Sequence, residues 1–290
     1  MPAESISELL KAAEKQHLPL WEVILRNDLA ESGKSREASL RQMAALWEAM
    51  KHASRSYSGR ARSSSGLVGG DGAKMAAYAK SKKGVGGFLI DRIAAEALRM
   101  GESNACMKRI VAAPTAGSCG VLPAVLIPLA ERENIPDEEI VHTLYVAAGF
   151  GQVIAARASI SGAEGGCQAE IGAASAMAAA ALASLKKGAP QTSAHACAMA
   201  LMNLLGLVCD PVAGLVEIPC VNRNVVGALN AVACADMALA GIRSRIPADE
   251  VIDAMRAVGE QMPPSLRETG QGGVAATPAG LAAARKLREG

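Results

Sequence analysis

Three cysteines stand where their neighbours suit metal chemistry. Cys209 and Cys220 bracket the stretch Cys209-Asp210-Pro211-Val212-Ala213-Gly214-Leu215-Val216-Glu217-Ile218-Pro219-Cys220-Val221-Asn222-Arg223-Asn224. Proline fixes φ and removes a donor, so Pro211 and Pro219 predict that both thiols sit on loops and not inside helices. Upstream, Glu164-Gly165-Gly166-Cys167-Gln168-Ala169-Glu170 offers a third thiol in a glycine-rich setting. Thiolates are ligands for soft metals and for iron–sulfur clusters. No CxxC pair is present, which argues against zinc-ribbon and ferredoxin patterns. The competing reading of any one cysteine is a small buried hydrophobe. It suits Cys197 and Cys234, which lie in long Ala-rich runs.

Two further stretches are rich in hydroxyls and glycines. Ser63-Ser64-Ser65-Gly66-Leu67-Val68-Gly69-Gly70-Asp71 follows a basic segment: between Lys51 and Lys83, Asp71 is the only acid among many Lys and Arg. The composition suits a solvated basic linker, or an anion site built from hydroxyls, amides and a nearby cation. Ala113-Pro114-Thr115-Ala116-Gly117-Ser118-Cys119-Gly120 is either a tight turn between helices or a place where backbone amides approach a ligand.

Together these blocks, with Arg267-Glu268-Thr269, cover nearly the whole chain in order. They resemble the iron–sulfur-dependent L-serine dehydratases, specifically the alpha chain of the two-subunit type. The resemblance implies that Cys167, Cys209 and Cys220 hold a [4Fe–4S] cluster through three irons. It implies that Ser63, Ser65, Gly66, Thr115, Gly117 and Ser118 line the serine site, with the basic Ser/Gly loop taking the substrate carboxylate. Arg223 or Asn224 would orient substrate or cluster; the alternative for Arg223 is a buried ion pair with Glu217 or Glu170. The reaction would be deamination of L-serine to pyruvate and ammonia. A beta chain with a small regulatory domain is implied as partner, in a homo- or hetero-oligomer. The base stays unnamed and is expected on that partner, because the matched blocks contain no histidine. No cysteine follows Cys234, whereas single-chain relatives carry a terminal one.

Other readings remain. The same three cysteines suit a related iron–sulfur lyase acting on L-cysteine or another small β-substituted amino acid. They also suit a non-catalytic metal-binding or redox protein. Pyridoxal phosphate needs a Schiff-base lysine. Between Arg109 and Ala240 there are only Lys186 and Lys187, paired at a helix end, so that cofactor is not expected, with Lys74 and Lys108 the remaining candidates.

The elements that must carry these groups read as helices. The chain has 290 residues, a formal net charge of +2, 50% hydrophobic and only 2% aromatic residues. A near-balanced charge gives no pull toward nucleic acid. A core of Ala, Leu, Val, Met and Gly lets helices approach closely. Residues 5–54 show helical spacing, with Ser5 and Glu8 fitting a capping box and Leu40, Met43, Ala44, Trp47 and Met50 marking one apolar face. A short helix is predicted over 88–101, ended by Gly101. Pro136 and Pro247 are expected at the first helical position, with the acids that follow them in the first turn. Residues 141–160, 171–186, 193–208 and 225–243 read as Ala-rich helices that interleave with the cysteine loops, and no convincing strand alternation occurs.

The expectation is a mostly α protein: one catalytic domain over 1–290, with a helical N-terminal part (1–54), a basic Ser/Gly loop (55–72) and a cluster-binding helical core (108–243). His142 is expected to be structural and His195 a satisfied core group. The uncharged runs Gly188–Cys209 and Ile110–Ala130 are long enough to span a bilayer but carry prolines or polar residues. No membrane span is expected. No signal-peptide pattern opens the sequence, and seven cysteines fit a reducing cytoplasm.

Overall fold

The computed structural model describes residues 4–289. Among them the regular structure is helical, and the only β pairing is a single parallel bridge between Cys209 and Arg267. In chain order the α-helices are α1 (Ile6–Gln16), α2 (Leu20–Ser32), α3 (Arg36–Arg55), α4 (Asp71–Lys80), α5 (Gly87–Ala105), α6 (Val121–Glu133), α7 (Asp137–Arg157) and the single turn α8 (Gly162–Gly165). They continue with α9 (Ala173–Leu185), α10 (Pro190–Met202), α11 (Cys220–Leu239), α12 (Ala248–Gln261) and α13 (Pro278–Glu289).

The centre is α9, whose sequence AASAMAAAALASL is buried on every side but one residue. A helix that is apolar all round must be surrounded, and α9 is packed among α6, α7, α10 and α11. Its methyl-sized side chains let these neighbours close in. Its one deeply buried hydroxyl, on Ser175, donates to Gly227 O at 2.8 Å and accepts from Asn230 Nδ2 at 2.9 Å, so burial leaves no polar group unpaired there.

Helices α1–α3 wrap the outside of α7 and α12. Ser5 accepts the Glu8 amide as expected, but the Glu8 carboxylate takes the Glu4 amide, so only half of the capping box forms. Asp249, in the first turn of α12, accepts the amides of Ile6 and Ser7 and caps α1 across the molecule. Trp47 of α3 donates to Asp137 at 2.7 Å, tying the expected apolar face to the start of α7. His142 is structural: it stacks on Trp21 with ring centroids 3.6 Å apart.

Several sequence expectations need correcting. Gly101 does not end a helix; α5 runs on to Ala105. Gly101 is there because α5 abuts α11, and a Cβ would stand 3.2 Å from Val221 Cα. Pro136 and Pro247 cap α7 and α12 and do not occupy the first turn. His195 is not in the core: it lies half-buried in a surface groove with Gln191, Arg245 and Asp249. Among the described residues only α7 is long and apolar enough to cross a membrane, and two-thirds of that stretch is buried against other helices.

Candidate active site

The Cys209–Asn224 stretch forms the floor of the site, and the other motifs close on it from two sides. Cys209 is clipped to the C-terminal segment: its amide donates to Leu266 O at 2.9 Å and its carbonyl accepts from Glu268 N at 2.8 Å. Cys220 departs from expectation, being the first residue of α11 with Pro219 as its cap. Proline breaks a helix only when it stands inside one; ahead of the first turn it is a start signal.

Cys167 follows α8 and precedes a π-helical turn over Gln168–Gly172. That turn is held by the fully buried Gln168, whose amide nitrogen donates to Met255 O and whose carbonyl accepts the Gly206 amide, each at 2.9 Å. π turns recur at functional sites because they re-aim one residue out of the regular helix.

The three thiols are 2%, 2% and 7% exposed for Cys167, Cys209 and Cys220. Burial pushes the Cys167 thiol up to about 11 and the Cys220 thiol to about 12. Burial raises Cys209 as well, and the neighbouring Cys167, Glu170, Glu268 and Cys220 add to the rise. Arg223 favours the charged form of Cys167.

Arg223 pairs with neither Glu217 nor Glu170. Its Nη1 donates to Val208 O at 2.7 Å, and its Nη2 stands 2.8 Å from Asp210 Oδ1. That carboxylate oxygen accepts no aligned hydrogen bond, so the contact is an ion pair and little more. Asn224 is wholly committed to the backbone. It accepts from Gly120 N at 2.8 Å and donates to Gly117 O at 2.7 Å and Cys220 O at 3.0 Å. It therefore sews the Thr115–Gly120 loop to the first turn of α11.

In that loop Thr115 and Ser118 bond reciprocally, each amide donating to the other's hydroxyl at 3.3 Å. Thr115 Oγ1 also donates to Glu170 Oε1 at 2.7 Å. Glu170 lies 4.0 Å from the Cys209 sulfur, and Gly117 and Gly162 leave room for its carboxyl group. Burial raises the Glu170 pKa, against the Thr115 hydrogen bond.

On the other side, Ser63 and Ser65 both donate to Glu217 Oε2, Ser63 at 2.9 Å. Their oxygens also accept the Val68 and Leu67 amides, closing a turn whose Gly66 has φ 73°. Among the described residues no hydrogen bond joins Ser63 or Ser65 to Thr115 or Ser118; the two groups meet only through the Cys209–Asn224 stretch. Sequence reasoning treated Glu170 and Glu217 only as partners for Arg223 and overlooked Asp210. Their membership of the same blocks as the cysteines was the available signal.

Among the described residues no group of three or more His, Cys, Asp or Glu converges on a single-ion position. The three thiols are soft donors, the type that iron–sulfur clusters take. The sequence model of the serine dehydratase alpha chain matches residues 15–275.

The chain belongs to that family. It is 47% identical over 283 residues to the "Probable L-serine dehydratase, alpha chain" of Bacillus subtilis, covering 98% of this chain and 94% of that protein. It is 40% identical over 286 residues to the "L-serine dehydratase, alpha chain" of Peptoniphilus asaccharolyticus, covering 98% of each. It also matches the "L-serine dehydratase" of Mycobacterium tuberculosis at 45% identity over 193 residues, but over only 42% of that protein.

Proposed function

We propose that this chain is the catalytic alpha chain of a cytoplasmic L-serine ammonia-lyase, with a [4Fe–4S] cluster held by Cys167, Cys209 and Cys220. The observation that carries the cluster assignment is the burial of three thiols from three separate chain segments, with Glu170, three residues after Cys167, 4.0 Å from the Cys209 sulfur. When bound, such a cluster supplies a Lewis-acidic iron for the serine hydroxyl.

The chain's own residues do the rest. Arg223 offsets the negative charge that three thiolates bring into a buried site. Asn224 and Gln168 fix the loops that carry Cys220 and Cys167. Ser63, Ser65, Gly66, Thr115, Gly117 and Ser118 line the substrate pocket. Loss of the α-proton and the β-hydroxyl gives aminoacrylate, which tautomerises and hydrolyses to pyruvate and ammonia. A beta chain with a regulatory domain completes the enzyme.

The test is anaerobic reconstitution with iron and sulfide, followed by visible absorption and by ammonia release from L-serine, L-threonine and L-cysteine. Full iron–sulfur absorption and a preference for L-serine are expected. Absence of cluster, or release from L-cysteine alone, would overturn the reading.

A further inference from the structure

Glu217 is 5% exposed, yet among the described residues no Lys, Arg or His lies within ion-pair distance of it. Its Oε2 is held by two neutral hydroxyls, those of Ser63 and Ser65. Arg62 on that loop donates instead to the carbonyls of Gly59 and Ala61. A buried carboxylate without a countercharge is costly, and such groups are ordinarily paired. Among the other buried acids Asp91 also lacks an ion pair and leaves Oδ2 unpaired, while the rest have partners. Glu96 pairs with Arg99, Asp210 pairs with Arg223, and Glu102 receives Tyr57 and the amides that open α4.

The surroundings also settle what sort of ligand fits. Ser63 and Ser65 spend their protons on Glu217, so this corner presents oxygen acceptors and not donors. That contradicts the expectation that these two hydroxyls grip a substrate carboxylate. Ser65, hydrogen-bonded to Glu217, and Leu215, two residues before it, line a cleft of about 710 Å³ that opens to solvent. Glu217 also lies three residues before Cys220, the first residue of α11.

We infer that the Ser63–Ser65–Glu217 unit receives the α-ammonium group of the amino-acid substrate and is the element that selects amino acids over hydroxy acids. This rests on the reading that the substrate is a small α-amino acid. The ammonium supplies the countercharge that the buried carboxylate lacks, and its three donors match the carboxylate and hydroxyl oxygens.

The test is Glu217→Gln in the reconstituted enzyme with its beta chain, comparing L-serine with glycerate, which carries a hydroxyl where serine carries the amine. A hydrogen bond to a charged group corresponds to about 10- to 150-fold in affinity. The expected result is an L-serine KM raised by that factor, unchanged glycerate inhibition and unchanged iron and sulfide content. An equal shift for both ligands would mean a structural role and would overturn the inference. Should Glu217→Gln not accumulate as folded protein, the same ratio is read in Glu217→Asp, where a selective loss for L-serine supports the inference and a parallel loss overturns it. Should the wild type not turn over L-serine, binding of small α-amino acids by calorimetry separates the two claims. Loss of that binding in Glu217→Gln sustains the ammonium site though the proposed reaction fails, and undiminished binding sinks it.

Discussion

Cysteines and amides of similar appearance in the sequence take different roles once placed. Cys234 is as buried as the three site thiols, but it lies mid-helix in α11 beside Asn203 and Asn230. Serine at Cys167, Cys209 or Cys220 is therefore expected to lower iron and sulfide content after reconstitution, and Cys234→Ser to leave both unchanged. Full iron and sulfide in all three single variants would remove the ligand assignment. Asn224 makes the opposite point. An asparagine beside a cluster motif reads as a ligand-orienting group, because its amide can serve substrate or backbone equally well. Only tertiary placement shows that its donors and acceptor go to Gly117, Cys220 and Gly120. Asn224→Ala leaves those buried groups unpaired, and stability to urea should fall by about 2–4 kcal/mol. Arg223 was ambiguous for the same reason: Glu217 and Glu170 were the partners considered, and the fold selects Asp210.

The helices themselves were largely legible, because Ala-rich runs and apolar spacing are local signals; what was not legible was where one helix touches the next. Gly101 read as a stop because close contact with Val221 has no local signature. Gly259 of α12 is a second such contact: a Cβ there would stand 2.9 Å from Gly165 Cα, on the turn that leads to Cys167. Gly259→Ala should push α12 off this turn and cost about 1–3 kcal/mol. Hydrogen exchange should rise at Gly165–Gln168 before it rises in α9. The junction of α2 and α3 carries a pH-dependent contact. Glu22 is held below the usual carboxylate range, chiefly by its hydrogen bonds with Arg36 and, against the cost of burial, with Arg26 as well. A depressed folded pKa contributes stability above the unfolded value and loses it as pH falls through the folded one. The urea-midpoint gap between wild type and Glu22→Gln should be full near neutrality. It should begin to shrink below about pH 5, where the unfolded carboxylate begins to protonate, and go on shrinking as pH falls through the lower folded value. A gap constant down to acid pH would show that Glu22 acts by packing alone.

At the scale of the whole molecule the question is what this chain supplies by itself. Its match to the Mycobacterium tuberculosis dehydratase spans 42% of that longer protein, whereas its matches to alpha chains span nearly all of theirs. The four histidines stand away from the thiols: His17 ends α1, His52 lies in α3, His142 stacks on Trp21 and His195 lines a surface groove. The ionisable groups near the thiols are instead Glu170, Asp210, Glu217, Arg223 and Glu268. Proton removal is most effective from a group with a pKa near the working pH, and imidazole meets that condition most readily. If a partner supplies that imidazole, reconstitution of this chain alone should restore the visible absorption of the cluster without restoring turnover. Adding the beta chain should then raise pyruvate production by about 10²- to 10⁴-fold, the usual contribution of a positioned base. The measurement is serine-dependent pyruvate release at matched iron content, with and without the beta chain. Full release by the alpha chain alone would reassign the base to a carboxylate of this chain. Glu170 and Glu217 would then be separated by their variants. Loss of Glu170 would depress kcat, whereas loss of Glu217, as an ammonium receptor, would act on the KM for L-serine.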